Sequence, residues 1–434
     1  MRLALACLLA AAALGGGPED DPPASGPQDH EDCVFRLDQA AFARRQEETP
    51  GEIRLYAGGD VRGSCVRPTG RRDTVTVWRA GSDSVAHYAR IGRADFVGST
   101  WFRDSTVELT AQRASYFEVD DRLEAYGNVV LRNRETGSEL SGPTLTYWRA
   151  APGVRDTAEL YATRRPIVEY RSVGDGTQEP YLIRANQVRL RGDHQAWAGG
   201  TVTIDRSDFS ARGDSTVLDL ETGDGLLIGH AEAGGKDSVS YDLSGRHIAF
   251  RLVDDQLSWV QAQGLADATS SEWRIVGDTI EFNVADDMIQ SGVVWGDSVR
   301  PRAMSEKYTV DADSLAIDSP NQVLTEVRGF GTARATAKTD SVSGEADWMA
   351  GDTLIVRFDS TETGSRTISQ LIAAGNARAF YRIFDEADSA AAPALNYSRG
   401  ERIVARFKDE AVDVVDVIGA ADGVYLEPKR KPPR

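Results

Sequence analysis

The sequence predicts an all-β protein, on the strength of three observations. Segments such as "STVELTA", "NQVRLRG", "TVTIDRS", "DTIEFNVA" and "DTLIVRFD" alternate apolar and polar residues with a period of two and are rich in Val, Ile, Thr and Leu, as strands buried on one face are. A short glycine-centred phrase recurs along the chain. No long run carries the spacing of an amphipathic helix, and the best helical candidates are short stretches near Asp32 and Ala387.

Composition bounds the function. A chain of 434 residues suits two or three ordinary domains or one repetitive one. Its 41% hydrophobic content excludes wholesale disorder, and 27% charged residues with a negative mean hydropathy exclude a polytopic membrane protein. Asp and Glu number 67 against 49 Lys and Arg, a net charge of -18, which argues against a grip on nucleic acid.

Taken in order, the chain opens on "MRLALACLLAAAALGGG", where Arg2 precedes an apolar run too short to span a membrane and small residues follow. This is the layout of a signal peptide over residues 1–17, and it implies export. The "LALAC" at Cys7 resembles a lipidation site, but most of the apolar run lies behind it, which weighs against that reading. Residues 18–50 are poor in periodicity and read as a flexible tether, with a turn or two of helix over "DCVFRLDQAAFARRQ". Cys33 and Cys65 remain after cleavage; they pair in an oxidising compartment or stay two free thiols. The β body spans 51–428, and a basic, proline-rich tail over 429–434 cannot continue a sheet.

Within the body "LEAYGNV" from Leu123 recurs as "LYAGGDV" from Leu55, "AWAGGTV" from Ala196, "VQAQGLA" from Val260, "VRGFGTA" from Val327 and "LIAAGNA" from Leu371. The shared glycines are Gly59, Gly127, Gly200, Gly264, Gly331 and Gly375. Glycine inside a strand pattern marks a bend or bulge, and the small residue two positions earlier leaves room for a neighbouring backbone. The unit is therefore a strand, a turn, a second strand and a crease, as in a sheet folded over on itself. The spacing is loose, so a common architecture carries loops of different length.

These phrases, seen most fully in "ASYFEVDDRLEAYGNVVLRNRETGSELSGPTLTYW", resemble the OstA/LptA family of lipopolysaccharide-transport proteins, with related sheets in LptC and the periplasmic part of LptD. The resemblance covers about Gly51 to Pro428 and implies an elongated antiparallel β-jellyroll folded into a V-shaped trough, as one trough or as two consecutive ones at about 51–235 and 236–428. It implies a periplasmic, non-enzymatic bridge protein that carries lipopolysaccharide toward the outer membrane by sheltering its acyl chains. It further implies head-to-tail contact with other jellyroll proteins of such a system or with itself, and no cofactor. The chain is longer than a typical LptA and lacks the amphipathic strand series of the LptD barrel.

Alternate positions offer an apolar wall through Val119, Leu145, Tyr147, Val188, Leu190, Val202, Ile204, Leu218, Leu220, Ile280, Phe282, Leu315, Ile317, Leu354 and Val356. Periodicity alone fits a closed sandwich core as well as a trough; the resemblance selects the trough. Arginines such as Arg122, Arg132, Arg189 and Arg191 are placed to face sugars and phosphates at its rim, or stand as ordinary solvated strand positions. Exposed edges are expected near "GEIRLYAGGDV" and "DVVDVIGAADGVYLEP".

No motif carries catalytic chemistry. The five histidines have no metal spacing, "HAE" at His230 lacks a zinc deaminase's cysteine pair, "GFGTAR" at Gly329 lacks the last glycine of a dinucleotide loop, and "DADS" at Asp311 lacks the glycine and distal glutamate of a calcium loop. The rival readings are a carbohydrate-active enzyme and a structural spacer on an elongated β scaffold.

Overall fold

A computed structural model describes residues 34–49, 52–68, 74–105, 107–150, 155–171, 179–192, 195–207, 209–219, 221–236, 241–253, 256–286, 288–338, 346–360, 366–383, 393–408 and 411–427. They are β throughout, with one 3₁₀ turn at Pro320–Gln322 and no α-helix among them. The chain divides into two compact units, Met1–Leu227 and Ile228–Arg434.

The first unit contains β1 (Val34–Gln39), β2 (Phe42–Thr49), β3 (Glu52–Pro68), β4 (Thr74–Tyr88), β5 (Arg93–Arg103), β6 (Val107–Phe117), β7 (Arg122–Asn133), β8 (Glu139–Trp148), β9 (Glu159–Thr163), β10 (Ile167–Tyr170), β11 (Tyr181–Arg184), β12 (Gln187–Arg191), β13 (Gln195–Asp205) and β14 (Phe209–Asp219). The strands from β3 to β8 form an antiparallel meander, with β1 and β2 laid on the two halves of β3. From β8 the sheet closes on itself through β8–β9–β12–β13–β11–β10–β8, a six-strand ring.

That ring is two walls sharing two bent strands. The second half of β8 pairs with β9 and the first half of β13 with β12; the first half of β8 pairs with β10 and the second half of β13 with β11. β14 continues outward from β13.

The division between units falls in β15 (Asp224–Gly235). The second unit continues with β16 (Asp242–Val253), β17 (Gln256–Thr269), β18 (Arg274–Ala285), β19 (Met288–Trp295), β20 (Arg302–Met304), β21 (Tyr308–Asp311), β22 (Ser314–Asp318), β23 (Glu326–Ala337), β24 (Trp348–Ser360), β25 (Arg366–Ile383), β26 (Ala394–Lys408), β27 (Ala411–Ile418) and β28 (Asp422–Leu426). It holds a second six-strand ring of the same topology, β18–β19–β22–β23–β21–β20–β18. A meander of β24, β25 and β26 follows, and β26 carries β27 on one half and β28 on the other.

The creases lie at the recurrent glycines. Gly127 has φ 75° and Asn128 has φ 48°, two successive left-handed residues inside one strand. They form a bulge at which the β6–β7 and β7–β8 registers shift. Glycine is required there twice over, because a Cβ would sit 3.0 Å from Gln112 Cβ on the next strand as well as in an unfavourable φ. The other five glycines found by repetition also have positive φ, each followed by a second positive-φ residue. At Gly331 the doubled bend places two carbonyls side by side, and the Asp313 N–H donates to both Phe330 and Gly331, at 3.0 and 3.1 Å. Three further pairs share this conformation: Gly98 with Ser99, Gly229 with His230 and Gly419 with Ala420.

Two sequence expectations change. "VFRLDQ" and "FARRQEET" are strands rather than tether or helical turns, so β3 is covered rather than an edge. Ladder pairing along β3 satisfies backbone groups that a short isolated helix would leave to water, and outweighs the local helix propensity of the Ala and Arg residues. The segment read as a signal peptide, the stretch around Ala387 and the basic tail lie outside the described residues.

Candidate functional site

Period-two alternation sends every second side chain of each ring inward, and register then aligns these residues into rows across strands. Across the first ring and its flanking strands β7 and β14, one inward row is Leu123, Tyr147, Leu160, Leu190, Ala196 and Leu218, and the next is Ala125, Leu145, Ala162, Val188, Ala198 and Thr216. The opposite wall supplies Leu140, Val168, Ile183 and Ile204. The second ring repeats the plan with Val260, Phe282, Gly292, Ile317, Val327 and Val356, then Ala262, Ile280, Val294, Leu315, Gly329 and Leu354. Phe282 lies over Gly292, where a Cβ would come within 2.5 Å of the ring. Its facing wall is built from smaller side chains, among them Ile275, Ala303, Val310 and Ala335.

These rows gather most of the residues that alternation had singled out. Leu145, Val188, Leu190, Val202, Ile280, Phe282, Leu315, Ile317, Leu354 and Val356 are buried, and Tyr147, Ile204 and Leu218 pack against the first cluster while partly exposed. Val119 does not belong with them. It sits in the turn between β6 and β7 and is 88% exposed, because the strand ends at Phe117 and its alternation stops there. Leu220 lies outside the described residues. Sequence reading missed Leu123, Leu140, Leu160, Val168 and Val327. The strands around Leu160 and Val168 are five and four residues long, too short to display a period, whereas Leu123 and Val327 were legible in the glycine phrase itself.

The interior carries no charged anchor in these rows. Burial above all pushes the Tyr147 phenol well above its ordinary range, with the charges of Asp104 and Asp121 adding to it and those of Arg149 and Arg155 opposing it. Buried Asn133 is used up locally, its Oδ1 accepting the backbone N–H groups of Glu135 and Thr136 at 2.7 and 2.9 Å to close the β7–β8 hairpin. What the arrangement offers chemically is apolar contact.

The outward arginines are paired. Arg132 bonds Glu139 at 2.7 Å, Arg189 bonds Glu159 at 2.7 Å and Arg191 approaches the same carboxylate at 3.7 Å. Arg122 lies 3.3 Å from both Asp120 and Glu124, with its guanidinium over Phe117 at 4.3 Å. Exposed ion pairs of this kind fix side-chain direction and add little stability. Among the described residues no group of three or more His, Cys, Asp or Glu is placed to hold a metal.

Cys65 is buried on β3 and disulfide-bonded. The chain's other cysteines, Cys7 and Cys33, are outside the described residues. At the far end of the second unit β27 and β28 expose Val412, Val414, Ile418, Val424, Tyr425 and Leu426, and no described ladder runs along their outer side. Compared with protein-family models and with curated proteins, the chain matches none.

Proposed function

We propose that this chain is an exported, non-catalytic lipid carrier of the OstA/LptA kind, which shelters the acyl chains of lipopolysaccharide between creased apolar walls on the way to the outer membrane. One observation carries the reading: both rings place two successive inward rows of apolar side chains in matching register, without a charged group among them. A carrier has to hold its cargo by area rather than by fixed polar contacts, so that each step of transfer is nearly balanced. Each methylene kept from water contributes about 0.8 kcal/mol, enough for a multi-chain lipid to bind with only part of its length covered.

In this reading the walls of a ring part to form a V-shaped trough of the jellyroll type, and they part along the weakest ladder. In the second ring that is β20, which pairs over three residues with β18 and three with β21. The disulfide at Cys65 accords with a periplasmic location, and Cys33 is its natural partner. The exposed edges at β1, β2, β27 and β28 suit strand addition by jellyroll neighbours or by a second copy.

The test is native mass spectrometry with lipid extraction on protein purified gently from its own envelope. Lipopolysaccharide should co-purify, and Leu190→Asp or Phe282→Asp should displace it. Protein that arrives lipid-free and takes up no added lipopolysaccharide would contradict the reading.

A further inference from the structure

The outward face of the first ring carries a feature that neither the fold nor a lipid interior needs. An open groove of about 550 Å³ runs across β8, β9, β12, β13 and β14, and among its lining side chains are Trp148, Tyr161, Trp197, Gln187, Arg189 and Glu159. Register explains how they meet. Tyr161, Arg189 and Trp197 are direct cross-strand partners in one row, Trp148 and Glu159 are partners in the row beside it, and Gln187 lies one row further along. Their polar groups are fixed among themselves: the Tyr161 hydroxyl donates to Gln187 Oε1 at 2.7 Å, and Arg189 Nη2 donates to Glu159 Oε2 at 2.7 Å while its guanidinium stands 5.7 Å from the Trp197 ring centre.

The second ring is an internal control, since it has the same strand order and register. Counted from the crease glycines Gly127 and Gly264, the places of Trp148, Tyr161, Arg189 and Trp197 are taken by Asn283, Val293, Ala316 and Arg328. The inward residues of the two rings are apolar alike. The aromatic and polar cluster is therefore not something this architecture requires at those positions.

We infer that this groove is a glycan-binding site, which takes a pyranose chain by stacking sugar faces on Trp148, Tyr161 and Trp197. Three features select that class. Half-exposed aromatic rings present flat apolar faces that match the C–H faces of a pyranose. Around them stand an amide, a phenol and a guanidinium–carboxylate pair, which offer donors and acceptors to ring hydroxyls. Within the lining the one guanidinium, Arg189, is paired with the one carboxylate, Glu159, so the groove itself presents no unpaired cation to a phosphate or a nucleic acid. The groove is open to solvent and spans five strands, which fits a chain better than a small enclosed metabolite. Its carboxylate is committed to Arg189, so the site binds and does not hydrolyse. The inference stands apart from the lipid reading, because these residues face away from the interior.

The test is tryptophan fluorescence and native mass spectrometry of the full chain with three probes: lipid-free oligosaccharide released from lipopolysaccharide by mild acid, lipid A alone, and a panel of neutral hexose and N-acetylhexosamine oligosaccharides. Binding of the first or third probe is expected, with quenching of tryptophan emission. Trp197→Ala should weaken it by roughly tenfold or more. Tyr161→Phe, which keeps the ring, should weaken it less, and Trp295→Ala, on the second ring, should leave it unchanged. Binding of lipid A alone, with neither sugar probe, would overturn the inference while leaving the lipid reading intact. So would sugar binding that survives in both Trp148→Ala and Trp197→Ala.

Discussion

At the scale of single residues the creases combine two costs that evolution meets differently. Gly127 accepts the left-handed bend without penalty, but its successor Asn128 and, at other creases, Thr201, Leu265 and Thr332 hold positive φ with a side chain. A branched residue there costs on the order of 1 kcal/mol. Gly127→Ala should lower stability by about 1–3 kcal/mol in a denaturant titration, since it adds both strain and contact with Gln112. Thr332→Gly should be neutral or stabilising by up to about 1 kcal/mol in the same assay. Repetition made six of these glycines legible. Gly98, Gly229 and Gly419 escaped because Phe96, Leu227 and Val417 stand two residues before them, where the recognised phrase has Ala or Gly. The small residue is thus no part of what bends the strand. Burial leaves a second signature at this scale. It pushes the phenols of Tyr116 and Tyr147 upward, with the Asp121 charge adding to the effect at Tyr116. The folded protein then keeps protons that the unfolded chain releases above a pH of about 10, so stability falls as pH rises through that value. Tyr147→Phe should flatten this alkaline slope when unfolding midpoints are compared across about pH 9 to 11.

Among elements, long strands were legible, and of the short ones only β12 and β22, whose five residues alternate cleanly, could be read. β7, β13, β18 and β24 announce themselves by alternation over ten or more residues, and β13, β18 and β24 carry six of the inward side chains foreseen from the sequence, Val202, Ile204, Ile280, Phe282, Leu354 and Val356. The four short strands that close each ring have three to eight residues, and their pairing is fixed by partners far along the chain rather than by any local pattern. They also explain the spacing of the creases: once Gly98, Gly229 and Gly419 are counted, the two longest intervals, from Gly127 to Gly200 and from Gly264 to Gly331, are those into which the ring strands are inserted. In the proposed carrier the same short strands are the seam at which the walls open. Val276 and Arg302 are cross-strand partners on β18 and β20. A disulfide made with Val276→Cys and Arg302→Cys should reduce lipid uptake by the second ring, and dithiothreitol should restore it. Equal uptake by the locked and reduced forms would mean that this seam stays closed during binding.

For the molecule as a whole, the two units repeat one ring topology and differ in what surrounds it. Around the first ring the sheet runs back to β1 and β2; around the second it runs on to β27 and β28, whose outward row of Val and Ile is exposed. Charge on such an edge blocks strand addition without touching the core. On the proposed reading, Val414→Lys with Tyr425→Lys should therefore abolish chemical crosslinking to the partners proposed to add at this edge, while thermal unfolding of the purified variant stays within a few degrees of the parent. Crosslinks that persist would place the contact elsewhere. The central claim, that the apolar rows hold acyl chains, is tested most directly by a photoreactive amino acid introduced singly at the inward positions Leu190 and Phe282 and at the outward neighbours Arg189 and Glu281, followed by illumination in living cells. The account predicts lipopolysaccharide adducts at Leu190 and Phe282 and none at Glu281, with Arg189 labelled only by a sugar chain lying in the outer groove. Adducts absent from both inward positions would contradict it and leave the rings as closed cores.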